Sequence, residues 1–242
     1  MKRCTYLLTA LLLWGMLTVP AGAARRSVPV QADGKAVTSA AYVEQGVTYV
    51  PLRALLTALG GWEVWWDSGN GQAAAASQSG SLRADPAANT VTVSGRTLPG
   101  RVTVERGVTY VPLRLVCEAL GCRVEWDPYL GGAAVTSPGA AYDAGELYWL
   151  ARIIYAESGG ESITGQIAVG NVILNRVMSS QFPDTVEGVI FDRKDAVQFE
   201  PVGNGRIYQT PSAQSVEAAK RALDGENVVG SALYFYAPAL SQ

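Results

Sequence analysis

Two glutamates frame the segment Ala156-Glu157-Ser158-Gly159-Gly160-Glu161, at the end of an apolar stripe made by Leu147, Leu150, Ala151, Ile154 and Tyr155. The stripe has helical spacing. The paired glycines should end that helix near Glu157 and leave its carboxyl in the last turn. There the helix dipole and the apolar neighbours both disfavour a negative charge. Both effects lift a carboxyl pKa toward the range in which it donates a proton at neutral pH. An ordinary solvated glutamate at a helix end is the alternative that the local sequence leaves open. The chain holds no histidine. That removes Ser-His-Asp and Cys-His catalysis and the commonest zinc ligand. Acid–base work must fall to Glu, Asp, Lys or Tyr.

The surrounding chain has to position such a group. Its 242 residues are 48% hydrophobic and 17% charged, which allows a sizeable core and one or two domains. A formal charge of −2 argues against a general nucleic-acid binder. Lys2 and Arg3, an apolar run from Tyr6 to Val19, Pro20 and then Ala21-Gly22-Ala23 read as a signal peptide over residues 1–24. The run is short for a bilayer span of about 20 residues. The expectation is a secreted protein with no membrane contact after cleavage. Loss of Lys2 and Arg3 takes the charge to −4, so no general attraction to anionic wall polymers is expected. Cys117 and Cys122 are either a disulfide pair or two small buried residues.

The chain contains an internal repeat. Gly46-Val-Thr-Tyr-Val-Pro-Leu-Arg53 recurs letter for letter as Gly107-Val-Thr-Tyr-Val-Pro-Leu-Arg114. Ala58-Leu59-Gly60 matches Ala119-Leu120-Gly121, and Trp66-Asp67 matches Trp126-Asp127 after a one-residue slip. Each copy predicts a strand, a helix opened by Pro and closed by Gly, and a second strand. Thr90–Val93 predicts a further hairpin strand turning at Ser94-Gly95. These residues resemble the copper amine oxidase N-terminal-like domain over 28–136. In that family the module is a stalk-like appendage and not the copper-bearing part, so no copper is expected here. Trp62, Trp65 and Trp66 hint at carbohydrate stacking, but Trp66 and Trp126 are expected in the core at matched repeat positions. Arg53 and Arg114 are expected to be structural ion-pair partners.

Residues 137–145, rich in Pro, Gly and Ala, read as a linker. Beyond it, Gly165 to Met178 predicts a buried helix in which Gly170 allows a close helix contact and Asn171 and Asn175 need internal partners. Phe182-Pro183-Asp184-Thr185 predicts a turn, Val186–Phe191 a short helix or extended segment, and Gly203-Asn204-Gly205 a loop. A third helix is expected from Pro211, capped by Thr210, and a strand at Leu233–Tyr236.

These pieces resemble the spore-cortex-lytic cell wall hydrolases. The match runs from Leu150-Ala151-Arg152 and Ala156–Glu161 through Gly165–Val169 and Val172–Val177. It continues through Phe182–Val186, Gly188–Phe191, Gln198-Phe199 with Pro201-Val202, and Ala232–Tyr236. The resemblance covers about residues 146–239. It implies an α+β architecture overall: a duplicated ββαβ-type module, then a lysozyme-like, mainly helical domain with a small sheet over 146–242.

The resemblance also implies chemistry. The family is regarded chiefly as lytic transglycosylases that cut the MurNAc–GlcNAc bond of peptidoglycan, in spore cortex or cell wall. The first motif glutamate, Glu157, would be the catalytic acid, with no metal and no cofactor. Glu161 would orient substrate or cap the second helix. Gln198 matches a cleft residue that could hydrogen-bond the glycan. Glu200 stands where the family pattern has a small hydroxyl residue and is a candidate second carboxylate, which would reopen hydrolysis. Tyr155 and Tyr234 are candidate sugar contacts, though core packing explains either equally. The family pattern continues past Tyr236 with a Trp-containing segment and a histidine-bearing strand, so the expectation is a domain truncated at its C-terminus. The alternatives are a non-catalytic wall-binding scaffold with a degenerate hydrolase domain and, last, an amidase, which lacks histidine for zinc.

Overall fold

The computed structural model describes residues 25–38, 40–194 and 197–235. The expected signal peptide and the end of the expected last strand lie outside them. The architecture is mixed α and β. Among the described residues, three sheets occupy 26–136 and five of the seven α-helices follow.

The repeat folds as a pair. In each copy a hairpin leads into a helix that opens after Pro: α1 (Leu52–Leu59) and α2 (Leu113–Ala119). The identical strands Val47–Pro51 and Val108–Pro112 pair antiparallel with each other, with Val50 opposite Val111, Tyr49 opposite Pro112 and Pro51 opposite Tyr110. The register is symmetric about the Val50–Val111 pair, with each Tyr opposite the other copy's Pro, which gives the two copies a local two-fold axis. Val50, Val111, Leu52, Leu113, Leu55, Leu56, Val116 and Cys117 fill the core beneath this pair.

The second sheet is a meander running from Glu63–Asp67 to Arg96–Pro99. The Thr90–Val93 hairpin turns at Ser94-Gly95 as the sequence predicts, with both residues at positive φ. The third sheet joins the ends of the module, with Gly132–Thr136 parallel to Val30–Ala32. Gly132 is required there, because an added Cβ would strike the carbonyl of Pro29.

Trp66 and Trp126 are not core residues. They are 47% and 48% exposed, and Trp65 is 42% exposed. Val64 and Val124, two residues earlier on the same strand faces, are the ones that pack with the core. Arg114 does pair with Glu118 at 3.2 Å. Arg53 makes no ion pair among the described residues, because Thr57 stands where its copy has Glu118. Cys117 and Cys122 are free, buried and adjacent, with the Cys122 N–H donating to the Cys117 carbonyl at 2.8 Å. Contact with Cys122 and burial push the Cys117 thiol up, while contact with Cys117 lowers that of Cys122.

The linker segment is held on both sides. The Ser137 hydroxyl donates to Asp33 at 2.6 Å, and Asp143 caps α3 (Ala144–Ser158) while pairing with Arg123. Helices α3, α4 (Ile163–Val177) and α7 (Ala213–Leu223) pack on one another around Trp149, Leu150, Ile153, Ile154, Ile167, Ile173 and Ala219. Gly170 gives the expected close contact, since an added Cβ would lie 3.0 Å from Ile154 and 3.1 Å from Ala222. Asn171 and Asn175 find their partners in the 226–232 segment: Asn171 donates to the Glu226 carbonyl at 2.7 Å and Asn175 to Gly230 at 2.8 Å.

Three local expectations are corrected. Helix α7 starts two residues late, capped by Ser212 rather than Thr210, with the Ser212 hydroxyl accepting from the Ser215 N–H. The 203–205 loop is the end of a short helix, α6 (Glu200–Asn204), favoured by Pro201 in its first turn and stopped by Gly205 at φ 81°. Among the described residues, no strand follows Thr136, so the small sheet of the second domain is absent there. The carbonyls of Ala232 and Leu233 are taken instead by the side chains of Asn175 and Arg176 at 2.9 and 2.8 Å.

Candidate active site

Glu157 lies in the last turn of α3, as the glycines require. Its backbone neighbours Ala156 and Ser158 are buried and its own side chain is half-buried. Burial raises its carboxyl above the ordinary carboxylate range. The Arg206 guanidinium opposes that rise and the Glu200 carboxylate adds to it. Desolvation is therefore the part of the sequence argument that carries the shift.

Sequence reasoning missed Arg206. It follows α6 and donates to the Ala156 carbonyl at 2.7 Å, covering the C-terminal end of α3 beside Glu157. Only the 199–208 chain folding back onto α3 puts it there, fifty residues from its partner.

The loop after Glu157 is tied down from below. Gln166, fully buried in α4, donates to the Glu161 carbonyl at 3.1 Å and accepts from the Ser215 hydroxyl at 2.8 Å. Gln214 donates to the same carbonyl at 3.0 Å. The loop thus has a fixed path, and an added Cβ at Gly159 would crowd the Tyr155 carbonyl at 2.6 Å.

The remaining candidates divide. Glu200, exposed at the start of α6, is brought to Glu157. Tyr155 is half-buried one turn before Gly159, against which its ring packs. Glu161 is exposed, and the cap of α4 is supplied by Ser162, whose hydroxyl accepts from the Gly165 N–H. Gln198 is exposed two residues before α6. Tyr234 is 68% exposed and packs with Phe182 and Phe199 around the Arg176 guanidinium, at 4.9 to 5.4 Å. That is a cation–π cluster with a structural reason of its own. Among the described residues, no group of three or more Cys, Asp or Glu is placed to hold a metal ion.

A contact between the two halves was also illegible from sequence. The buried Trp149 indole of α3 donates to Asp127 at 2.7 Å, and Tyr129 stacks on Phe191 at 4.1 Å. Beside them, the Glu187 carboxylate on α5 (Val186–Ile190) lies against Gly145. Burial pushes its carboxyl up to about 7, with Asp127, Asp143 and Glu146 adding to the rise.

Comparison with known proteins agrees with both resemblances. Residues 160–242 match the Cell Wall Hydrolase family, and residues 31–132 match the Copper amine oxidase N-terminal domain. The first match begins three residues after Glu157. A spore cortex-lytic enzyme of Bacillus cereus is 42% identical over 97 residues, covering 40% of this chain and 36% of that protein. The cell wall hydrolase CwlJ of Halalkalibacterium halodurans is 34% identical over 95 residues, covering 37% of this chain and 65% of its own length. The solved catalytic domain of the germination-specific lytic transglycosylase SleB from Bacillus anthracis is 40% identical, with 43% of this chain and 82% of that one covered and a TM-score of 0.38. The chain spans just over a third of the length of the Bacillus cereus enzyme it matches. It carries a cell wall hydrolase domain, an enzyme domain, behind a copper amine oxidase N-terminal domain.

Proposed function

We propose that this protein cleaves the glycan strands of peptidoglycan as a lytic transglycosylase, with Glu157 as its single catalytic acid. The reading divides the chain into a leader (1–24), a duplicated ββαβ-type module (28–136), a linker (137–145) and a lysozyme-like catalytic domain (146–242). It places the protein outside the cytoplasm, at the cell wall or spore cortex. The observation that carries it is the half-buried Glu157 carboxyl, whose pKa desolvation raises, in the last turn of α3. The family match and its named relatives supply the polymer.

In this scheme Glu157 protonates the oxygen of the MurNAc–GlcNAc bond and the C1–O bond breaks. The Glu157 carboxylate then takes the proton of the muramyl C6 hydroxyl as O6 attacks C1. The products are a 1,6-anhydro-muramyl end and a free GlcNAc end, and no water is consumed. One carboxyl suffices because the nucleophile belongs to the substrate and is already near its target. Hydrolysis needs a second carboxylate, and Glu200 beside Glu157 keeps that as the second reading. Gln198, Glu161, Tyr155 and Tyr234 are the proposed glycan contacts.

Release of soluble fragments from purified peptidoglycan tests the activity. Wild type should solubilise it and Glu157→Gln, with an unchanged melting temperature, should not. Equal release by both would remove Glu157 from the mechanism. No release by either would favour a wall-binding scaffold.

A further inference from the structure

The local two-fold of the repeat creates two equivalent grooves. Each is formed by the Pro-Leu-Arg start of one helix, the Trp of the following strand and the Gly-Val-Thr turn of the other copy. The groove beside α1 has a volume of about 570 Å³ and the one beside α2 about 330 Å³. Two sequence differences between the copies fall in or beside these grooves. Trp65 in the first stands where the second has Glu125, and Thr57 where the second has Glu118. The second groove's Arg114 is consumed by Glu118 and by the Val124 carbonyl at 3.0 Å. In the first, neither Arg53 nor Lys35 has an ion-pair partner among the described residues, and no carboxylate lines the groove. Trp65 and Trp66, each more than two-fifths exposed, line it with them.

We propose that the groove beside α1 is a second binding site for peptidoglycan, holding a glycan strand with its anionic stem peptides away from the catalytic domain. Two observations select this occupant. The open Trp66 indole, on the strand face it shares with Val64, offers a flat apolar face with a polar edge, which suits the C–H face of a pyranose ring. Lys35 and Arg53, without an ion-pair partner among the described residues, complement the carboxylates of the stems, on a chain that is acidic overall. Exposed aromatic surface joined to Arg is also the composition of an interaction hot spot rather than of idle surface. The Asp127–Trp149 and Tyr129–Phe191 contacts fix this module against the helical domain, so a strand held in the groove raises the local concentration of bonds near Glu157. The identity of the polymer rests on the proposed function; the groove itself does not depend on Glu157.

Co-sedimentation with insoluble purified peptidoglycan tests this, using the full chain with Glu157→Gln so that nothing is cut. The double variant Trp65→Ala/Trp66→Ala should bind about tenfold more weakly or worse, the scale of losing a binding hot spot. Lys35→Ala/Arg53→Ala should bind more weakly and with a flatter salt dependence. Trp126→Ala in the second groove should bind as its parent. These side chains are exposed, so melting temperatures should hold and a lost fold is excluded by that readout. Binding unaffected by both double variants overturns the proposal, even if wild type releases fragments normally. So does light scattering that shows the parent as a dimer and the Trp variant as a monomer, which would make the groove a self-interface. Intact, groove-dependent binding without fragment release by wild type would instead contradict the role of Glu157 and leave the groove standing.

Discussion

Glu187 gives the interface between the two halves a definite pH signature. Its carboxyl is raised from an ordinary 4.5 to about 7, first by burial and then by Asp127, Asp143 and Glu146, while Arg123 is held by Asp143. A carboxyl whose folded pKa is raised keeps its proton in the folded state after the unfolded chain has lost it. Stability therefore falls as pH rises from about 4.5 to about 7 and is flat above. Each pKa unit corresponds to about 1.4 kcal/mol, so the ceiling is about 3 kcal/mol. Solvent reaches part of the group and screens it, which leaves about 1–2 kcal/mol. Glu187→Gln keeps the shape and removes the titration. At pH 8 it should melt about 2–8 °C higher than wild type, by the usual conversion for a chain of this size. At pH 4.5 the two should coincide. Thermal unfolding followed by circular dichroism across pH 4 to 8 reads this. A melting difference that is independent of pH, or largest in acid, would refute the reasoning.

Two further outcomes follow from the same geometry. Removing the Glu200 charge takes away one of the two effects that raise Glu157, so Glu200→Gln should move the alkaline limb of the cleavage pH profile to lower pH; an alkaline shift contradicts the proximity of the two groups. Trp149→Phe leaves Asp127 without its indole donor in a buried contact and should cost about 1–3 kcal/mol in urea unfolding; a change near zero would mean the two halves are not joined there.

The repeat and the helical periodicity were legible because they are local. The identical octapeptides announced both strands and both helix starts, and the glycines after Glu157 ended α3 where expected. Gly170, Asn171 and Asn175 announced a tight helix crossing and buried amides, and both are present. What failed was decided by partners distant in sequence. Trp66 and Trp126 looked like core because they recur, but recurrence reports an equivalent position and not burial. Leu233–Tyr236 has strand composition, yet side chains of α4 take the carbonyls of Ala232 and Leu233. Arg206 and Glu187 carried no local signal, since each acquires its role from a segment tens of residues away.

The central claim is that one carboxyl does the chemistry and water is not a reactant. Mass spectrometry of the fragments released from purified peptidoglycan tests it most directly. Muropeptides ending in 1,6-anhydro-muramic acid, absent from the Glu157→Gln digest, are the predicted result. Reducing muramic acid ends made by wild type, and lost on Glu200→Gln substitution, would contradict it and show a two-carboxylate hydrolase.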